Sequence, residues 1–139
     1  NFVGPDSESN ISQQVQQLES ALNANPTAVG LAALDTESVK DLLQKAMDSN
    51  IPVIGFDSGV PGAPEGSVLA NCSTDNYAAG ALAAEKVYEA VKDQVANATA
   101  PVRVGVVAQD ATSESVINRV LASSISSLSW LRLMARLLT

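Results

Sequence analysis

The sequence predicts an α/β fold in which parallel strands form a sheet with helices on both faces. Two observations carry this prediction. Short apolar runs bounded by turn residues recur along the chain, a pattern typical of strands buried on both faces. Segments with apolar residues at helical spacing lie between these runs. Such alternation produces parallel β-α-β units with right-handed crossovers.

The first predicted helix follows the turn residues from Pro5 to Ser9, and Ser7 or Ser9 can cap its start. Its apolar positions recur every three or four residues, at Ile11, Val15, Leu18 and Leu22. Asp35 or Thr36 can cap a second helix that runs to about Ser49. The other predicted elements are strands at 28–34, 51–56, 68–70 and 102–108, a helix at 77–96, and a last helix that starts near Ser113.

Composition excludes several classes of function. The net charge of -7 disfavours contact with nucleic acid, and the chain has no histidine, the commonest general base and metal ligand. The single cysteine, Cys72, excludes an internal disulfide and a thiolate zinc cluster. No apolar run reaches the roughly 18 residues that a membrane span needs. We therefore expect no catalytic residue, metal or cofactor.

Sequence motifs support the same exclusion. The glycine-rich loop at 55–66 lacks the Gly-Lys-Ser/Thr end of a phosphate-binding loop. Serines are frequent, but no nucleophile elbow and no histidine base accompany them. A carboxylate-based α/β enzyme is the alternative that these absences leave open.

Polar residues follow the predicted strands at their carboxyl ends, where parallel sheets bind ligands. They are Asp35, Asp57, Asp75, Asn76, Gln109 and Asp110. Helix capping explains the same residue types at the same junctions, and both readings stay open. Asp57 is distinctive because it directly follows a buried strand and precedes Ser58-Gly59, so its carboxylate can accept strong hydrogen bonds from hydroxyl groups. Arg119 offers five donors in a rigid fork, and its alternative is a solvated helix residue.

Several segments together resemble one family. They are Gly4-Pro5-Asp6 before a glutamine-rich helix, Ala33-Leu34-Asp35-Thr36, IPVIGFDS at 51–58, TDNYAAG at 74–80, and Arg119 after the strand at 102–108. Their order resembles the ribose- and galactose-type sugar receptors of ABC transporters, which are type I periplasmic binding proteins. It is also similar to the ligand-binding cores of lactose-repressor-type regulators. The resemblance covers about residues 1–119.

The resemblance implies a two-lobed protein that clamps a sugar and hands it to an ABC transporter permease outside the cytoplasm, in the periplasm or at the cell surface. It implies ligand contacts from Asp57 and Ser58 in the first lobe and from Arg119 in the second. Gln109 and Asp110 would face the cleft and Asp35 its rim, while Thr74, Asp75 and Asn76 would form a hinge. The alternative function is the effector-binding core of a transcription regulator.

The chain also departs from the family pattern. No signal peptide opens it, and Asn1-Phe2-Val3-Gly4 reads as the end of a strand, so we expect a fragment with its first strand missing. Residues 1–76 would form most of the first lobe, and residues 77–119 the start of the second. Residues 120–139 form an atypical tail without acidic residues. This tail is either an amphipathic partner or membrane-surface helix, or the product of a frame error or truncated gene.

Overall fold

The computed structural model describes residues 1–100 and 102–124. Its elements are α1 (Ile11–Asn23), β1 (Val29–Leu31), α2 (Lys40–Asp48), β2 (Val53–Phe56), β3 (Ala70–Cys72) and α3 (Asn76–Ala96), followed by helical residues 114–124. The three strands form one parallel sheet in the order β1-β2-β3. The predicted combination of a parallel sheet with helices is confirmed.

The start of α1 differs from the prediction. Asn10, not Ser7 or Ser9, caps the helix, because its side chain accepts a hydrogen bond from the Gln13 N–H at 3.3 Å. The two serines belong to the preceding turn instead, where their hydroxyl groups lie 2.9 Å apart. The Ser7 carbonyl then accepts from the Asn10 N–H, and this turn delays the helix to Ile11.

The glutamine-rich helix α1 is tied to the chain that leaves β1. The side-chain amide of Gln14 donates to the Ala32 carbonyl at 2.8 Å, and its oxygen accepts from the Leu34 N–H at 2.9 Å. The two bonds satisfy backbone groups that lie beyond the end of the short strand. They also explain why β1 stops at Leu31 although the apolar run continues to Leu34.

The helix α2 begins later than predicted. Residues 36–39 form a separate turn, and the helix starts at Lys40. Asp35 does cap this region, but it accepts from the N–H groups of Glu37 and Ser38 in the turn. The carboxylate therefore holds the turn that precedes α2 and not the first turn of the helix.

One face of the sheet carries the core. Leu18 and Leu22 of α1, Leu43 and Ala46 of α2, and Val53 of β2 belong to one buried cluster, so both helices cover the same face. Alternation along β2 places Ile54 and Phe56 on the other face, where they are 41% and 44% exposed. Within residues 1–74 and 110–115, no described helix covers that second face.

The strand predicted at 102–108 is wrong. These residues form no strand, and their valines are exposed, with Val107 at 98%. A strand needs a neighbour to accept and donate its backbone hydrogen bonds. Among the described residues, the three strands all lie in the first compact unit, so the apolar run has no partner strand in the second.

The described chain divides into two compact units. The first comprises Asn1–Thr74 and Asp110–Ser115, and the second comprises Asp75–Gln109 and the described residues from Val116 onward. Residues 110–115, which the sequence analysis assigned to a second lobe, therefore pack in the first unit. Of the expected atypical tail, residues 120–124 are helical, and residues 125–139 lie outside the described residues. In the described part of the chain, no helix has the length and apolar character needed to cross a membrane.

Candidate functional site

The candidate site is centred on the carboxyl end of β2. The Asp57 N–H donates to the Cys72 carbonyl at 3.0 Å and so continues the pairing of β2 with β3 by one residue. Asp57 itself has φ of 59°, in the left-handed region, and the chain turns away at this residue. Aspartate tolerates this conformation better than most residues do. The strand thus ends in a sharp turn that displays the Asp57 side chain.

The Asp57 carboxylate is exposed. Within residues 1–100 and 102–124 it makes no hydrogen bond and no ion pair, whereas the carboxylates of Asp35 and Asp110 make several. An unengaged carboxylate held in the left-handed region of backbone conformation is typical of functional positions, where local strain is tolerated for the sake of the site. Of the acidic residues at the strand ends, Asp57 is therefore available to accept hydrogen bonds from a ligand.

Ser58 lies beside Asp57 but is buried, with 4% exposure. Its hydroxyl oxygen accepts from the Ser115 N–H at 3.3 Å, and its carbonyl accepts from the Ala33 N–H at 3.3 Å. Next to it, the Gly59 N–H donates to the Glu114 carboxylate at 2.8 Å. These bonds attach residues 110–115 to the carboxyl end of the sheet. Contact between Ser58 and a ligand stays a prediction.

Asp35 acts as a cap in this structure. One of its oxygens accepts from the Ser38 hydroxyl at 2.5 Å, from the Ser38 N–H at 2.6 Å and from the Glu37 N–H at 3.0 Å. The Ser38 hydroxyl and these N–H groups favour the charged form and lower the pKa of Asp35 below its ordinary value. Capping occupies this oxygen, and a ligand contact stays a prediction for the carboxylate.

Asp110 forms a similar turn. Its carboxylate accepts from the Thr112 N–H at 3.0 Å and from the Ser113 N–H and hydroxyl at 2.9 Å each. Partial burial on its own raises the pKa of Asp110, but these bonds outweigh it and the pKa is lowered. The Thr36 N–H donates to the Thr112 carbonyl at 3.3 Å, so the turns that Asp35 and Asp110 cap are adjacent. Gln109, the next residue back, is exposed and belongs to the second unit.

In the second unit, Arg119 meets the start of α3. Its Nε–H donates to the side-chain oxygen of Asn76 at 2.7 Å, and Asn76 is 4% exposed. Asp75 caps α3 by accepting from the Ala78 N–H at 2.9 Å. Thr74 is exposed and ends the first unit's long segment. The hinge prediction for these three residues stays a prediction.

The structure brings the predicted residues together in two groups. The first unit holds Asp35, Asp57, Ser58 and Asp110, and the second holds Arg119 with Asn76. Sequence reasoning missed two contributors, Glu114 and Ser115, whose contacts with Gly59 and Ser58 join residues far apart in the chain. It also missed the Asn76–Arg119 bond. No local signal in the sequence predicts such long-range pairs.

A shallow depression of about 420 Å³ is lined by the loop at 59–66 and also by Asn71 and Glu114. Asp57 does not line it. Among residues 1–100 and 102–124, no group of three or more histidine, cysteine, aspartate or glutamate side chains could hold a metal ion.

Comparison with solved structures gives the same architecture. A solute-binding protein of an ABC transporter from Agrobacterium vitis, solved with bound D-fucose, is 31% identical with a TM-score of 0.83, covering 93% of this chain and 42% of its own. A protein from Brachyspira murdochii, described as an ABC transporter and LacI family transcriptional regulator, is 37% identical with a TM-score of 0.77, covering 91% and 40%. A sugar transporter from Clostridium phytofermentans is 23% identical with a TM-score of 0.79, covering 93% and 44%, and shows the fold.

The chain thus spans well under half the length of these solved structures. No curated protein matches it. The family model described as the periplasmic binding protein domain matches residues 1–123. Because that match covers most of the 139 residues, the chain belongs to the periplasmic binding protein domain family.

Proposed function

We propose that the chain is part of an extracytoplasmic receptor that binds a sugar between two lobes and delivers it to the permease of an ABC transporter. The proposal assigns the chain no catalytic step and no cofactor. In this proposal the first lobe comprises Asn1–Thr74 with Asp110–Ser115, and the second begins with Asp75–Gln109 and the described residues from Val116 onward. The family and its sugar-binding relatives support the receptor class.

The observation that carries the proposal is the state of Asp57. Its carboxylate is exposed at the carboxyl end of β2 and has no partner among the described residues, whereas its acidic neighbours at the strand ends are engaged in capping. Sugar hydroxyls are good donors to such a group, because hydrogen bonds to a charged acceptor are stronger than neutral ones. Asp57 accordingly fixes the sugar from the first lobe.

Arg119 supplies the complementary donors from the second lobe. Its Nε–H is engaged by Asn76, and its side chain is exposed. The terminal guanidinium nitrogens suit ring oxygens and adjacent hydroxyls, which accept in one plane. Gln109, Asp110, Asp35 and Ser58 stand at the periphery of this proposed site and contribute less, because capping or burial engages three of them.

An NMR titration with D-fucose tests the proposal on the 139-residue chain, because this method detects weak binding. We expect amide shifts around Asp57, and we expect the mirror-image sugar L-fucose to produce none at the same concentration. Absence of D-fucose shifts around Asp57 contradicts the proposal.

A substitution that removes the Asp57 carboxylate must also be compatible with the left-handed backbone conformation at residue 57. Since φ at residue 57 is 59°, alanine would add strain, and Asp57→Gly is the cleaner deletion. Loss of a hydrogen bond to a charged group costs about 1.5–3 kcal/mol, so affinity falls about tenfold to a hundredfold. Asn50→Gly is the matched control, because Asn50 has φ of 55° and precedes β2 at its opposite end. Unchanged affinity in Asp57→Gly removes Asp57 from the site.

A second candidate function is favoured by the description of the Brachyspira murdochii protein, which names a transcriptional regulator. In that case the same sugar site is the effector site of a regulator. The net charge of -7 argues that this segment itself does not touch DNA. Release of the native protein from cells by osmotic shock supports the receptor, and retention in the cytoplasm supports the regulator.

A further inference from the structure

The side chain of Arg119 is held at its Nε atom. The bond from its Nε–H to the Asn76 oxygen is 2.7 Å long, in the range of charge-assisted hydrogen bonds. Asn76 is 4% exposed, so water competes little for this bond. The bond fixes the plane of the guanidinium group, because Nε lies within that plane.

The backbone of Arg119 is held as well. Gly80 faces it in α3, and a Cβ atom at Gly80 would come within 2.9 Å of the Arg119 Cα atom. The Ser123 hydroxyl lies 2.7 Å from the Arg119 carbonyl oxygen and 3.0 Å from the Gly80 carbonyl oxygen. The base of the side chain and its Nε atom are therefore both fixed against α3.

The bond from Nε to Asn76 leaves the terminal nitrogens of the Arg119 guanidinium group available for other hydrogen bonds. Five N–H bonds belong to a guanidinium, and Asn76 takes one of them. Among residues 1–100 and 102–124, Arg119 forms no ion pair, and the amide of Asn76 is neutral, so the positive charge is not compensated. An aspartate at position 76 would hold the same nitrogen but would neutralise that charge.

We propose that Asn76 is a positioning residue for ligand recognition, which fixes the guanidinium of Arg119 through Nε and leaves its four terminal N–H donors for the ligand. This proposal rests on the proposed function, in which Arg119 contacts the sugar. It gives Asn76 a task beyond starting α3, and one that acts only through Arg119.

The first test follows the Arg119 Nε–H directly, by nitrogen-15 NMR of the arginine side chains in the 139-residue chain. In the wild type we expect a slowly exchanging signal, assigned by its loss in Arg119→Lys. Asn76→Leu keeps the size of the side chain without the acceptor, and it should collapse the signal into fast exchange. Asn76→Asp should restore slow exchange, while the signal of exposed Arg103 serves as the internal reference. An unchanged Arg119 signal in Asn76→Leu overturns the proposal.

The second test asks whether Asn76 acts through Arg119. With D-fucose as the probe, Asn76→Leu should weaken binding about tenfold, whereas in an Arg119→Met background the same change should have an effect of about twofold or less. Equal losses in both backgrounds overturn the proposal. Urea unfolding of each variant confirms that the fold is retained. If the wild type fails to bind D-fucose, the proposed function fails for this sugar, while the side-chain signal still decides whether Asn76 fixes Arg119.

Discussion

Replacement of Gly80 by alanine tests the packing of Arg119 against α3. Alanine is favoured over glycine within a helix by about 1 kcal/mol, so the change on an isolated helix would stabilise. In this structure the added Cβ overlaps the Arg119 carbonyl oxygen and lies 2.9 Å and 3.0 Å from its Cα and C atoms. Backbone atoms cannot rotate away as the end of a flexible side chain can. The two effects therefore oppose each other.

The magnitudes decide the sign. Overpacking of this kind costs about 1–3 kcal/mol. Separation of the two segments also weakens the Ser123 hydroxyl contact with the Gly80 carbonyl, a bond of a type worth about 0.5–1.5 kcal/mol. After the helix-propensity gain of about 1 kcal/mol is subtracted, we expect Gly80→Ala to lower the free energy of unfolding by about 0.5–3.5 kcal/mol.

The assay is urea unfolding followed by circular dichroism, with extrapolation to zero denaturant. Ala83→Gly, at an exposed position of the same helix, is the control for propensity alone and should cost about 1 kcal/mol. The decisive comparison is the sign at position 80. If Gly80→Ala stabilises the protein by about the propensity difference, α3 and the Arg119 backbone are not in close contact, and the reasoning is refuted.

Three further predictions concern stability. Leu43 is fully buried in the core, so Leu43→Ala should lower the unfolding free energy by about 2–5 kcal/mol, and a loss below about 1 kcal/mol in urea unfolding would contradict the core assignment. The pKa of Asp110 is lowered in the folded state, so its stabilising contribution is present above the ordinary value of 3.8 and is lost as the pH falls through the lower folded value. Asp110→Asn should therefore make the free energy of unfolding fall less steeply as the pH is lowered. If this pH dependence is unchanged in the variant, the hydrogen bonds of the Asp110 carboxylate do not contribute to stability. At residue 57, with φ of 59°, glycine should leave the unfolding free energy within about 1 kcal/mol of the wild type and alanine should lower it further, and equal values would argue against the left-handed conformation.

β1 and β2 could be predicted from sequence because each is a short apolar run closed by turn residues, whereas the strand predicted at 68–70 shares only Ala70 with β3 (Ala70–Cys72). Their lengths could not be predicted, since pairing decides them. The run at 28–34 pairs only over Val29–Leu31, because Gln14 takes the backbone groups of Ala32 and Leu34. The segment at 102–108 follows the same rule, because it was expected to be a strand but forms none where no neighbouring strand pairs with it. An apolar pattern marks a segment that can form a strand, but only a neighbouring strand makes it one.

The site was predictable to a similar extent. The position of Asp57 after a buried strand identified it, but its left-handed backbone and its free carboxylate are properties of the fold. The choice between capping and ligand contact for Asp35 and Asp110 depended on their partners three residues along the chain, and the structure shows both acting as caps. Asn76 was identified as a polar residue at a strand end and assigned to a hinge, but its bond to Arg119 could not be predicted, because Arg119 lies 43 residues away.

The first compact unit is discontinuous in the chain, since Asp110–Ser115 returns to it after the residues of the second unit. The Thr112 hydroxyl bonds to the Leu34 carbonyl at 3.1 Å, and Glu114 and Ser115 bond to the turn after β2. During synthesis on the ribosome, the sheet therefore emerges well before the segment that closes its carboxyl end. The turn bearing Asp57 cannot gain its final support until residue 115 has left the exit tunnel. Completion of the turn that bears Asp57 thus depends on a segment that follows most of the core beneath it in the chain.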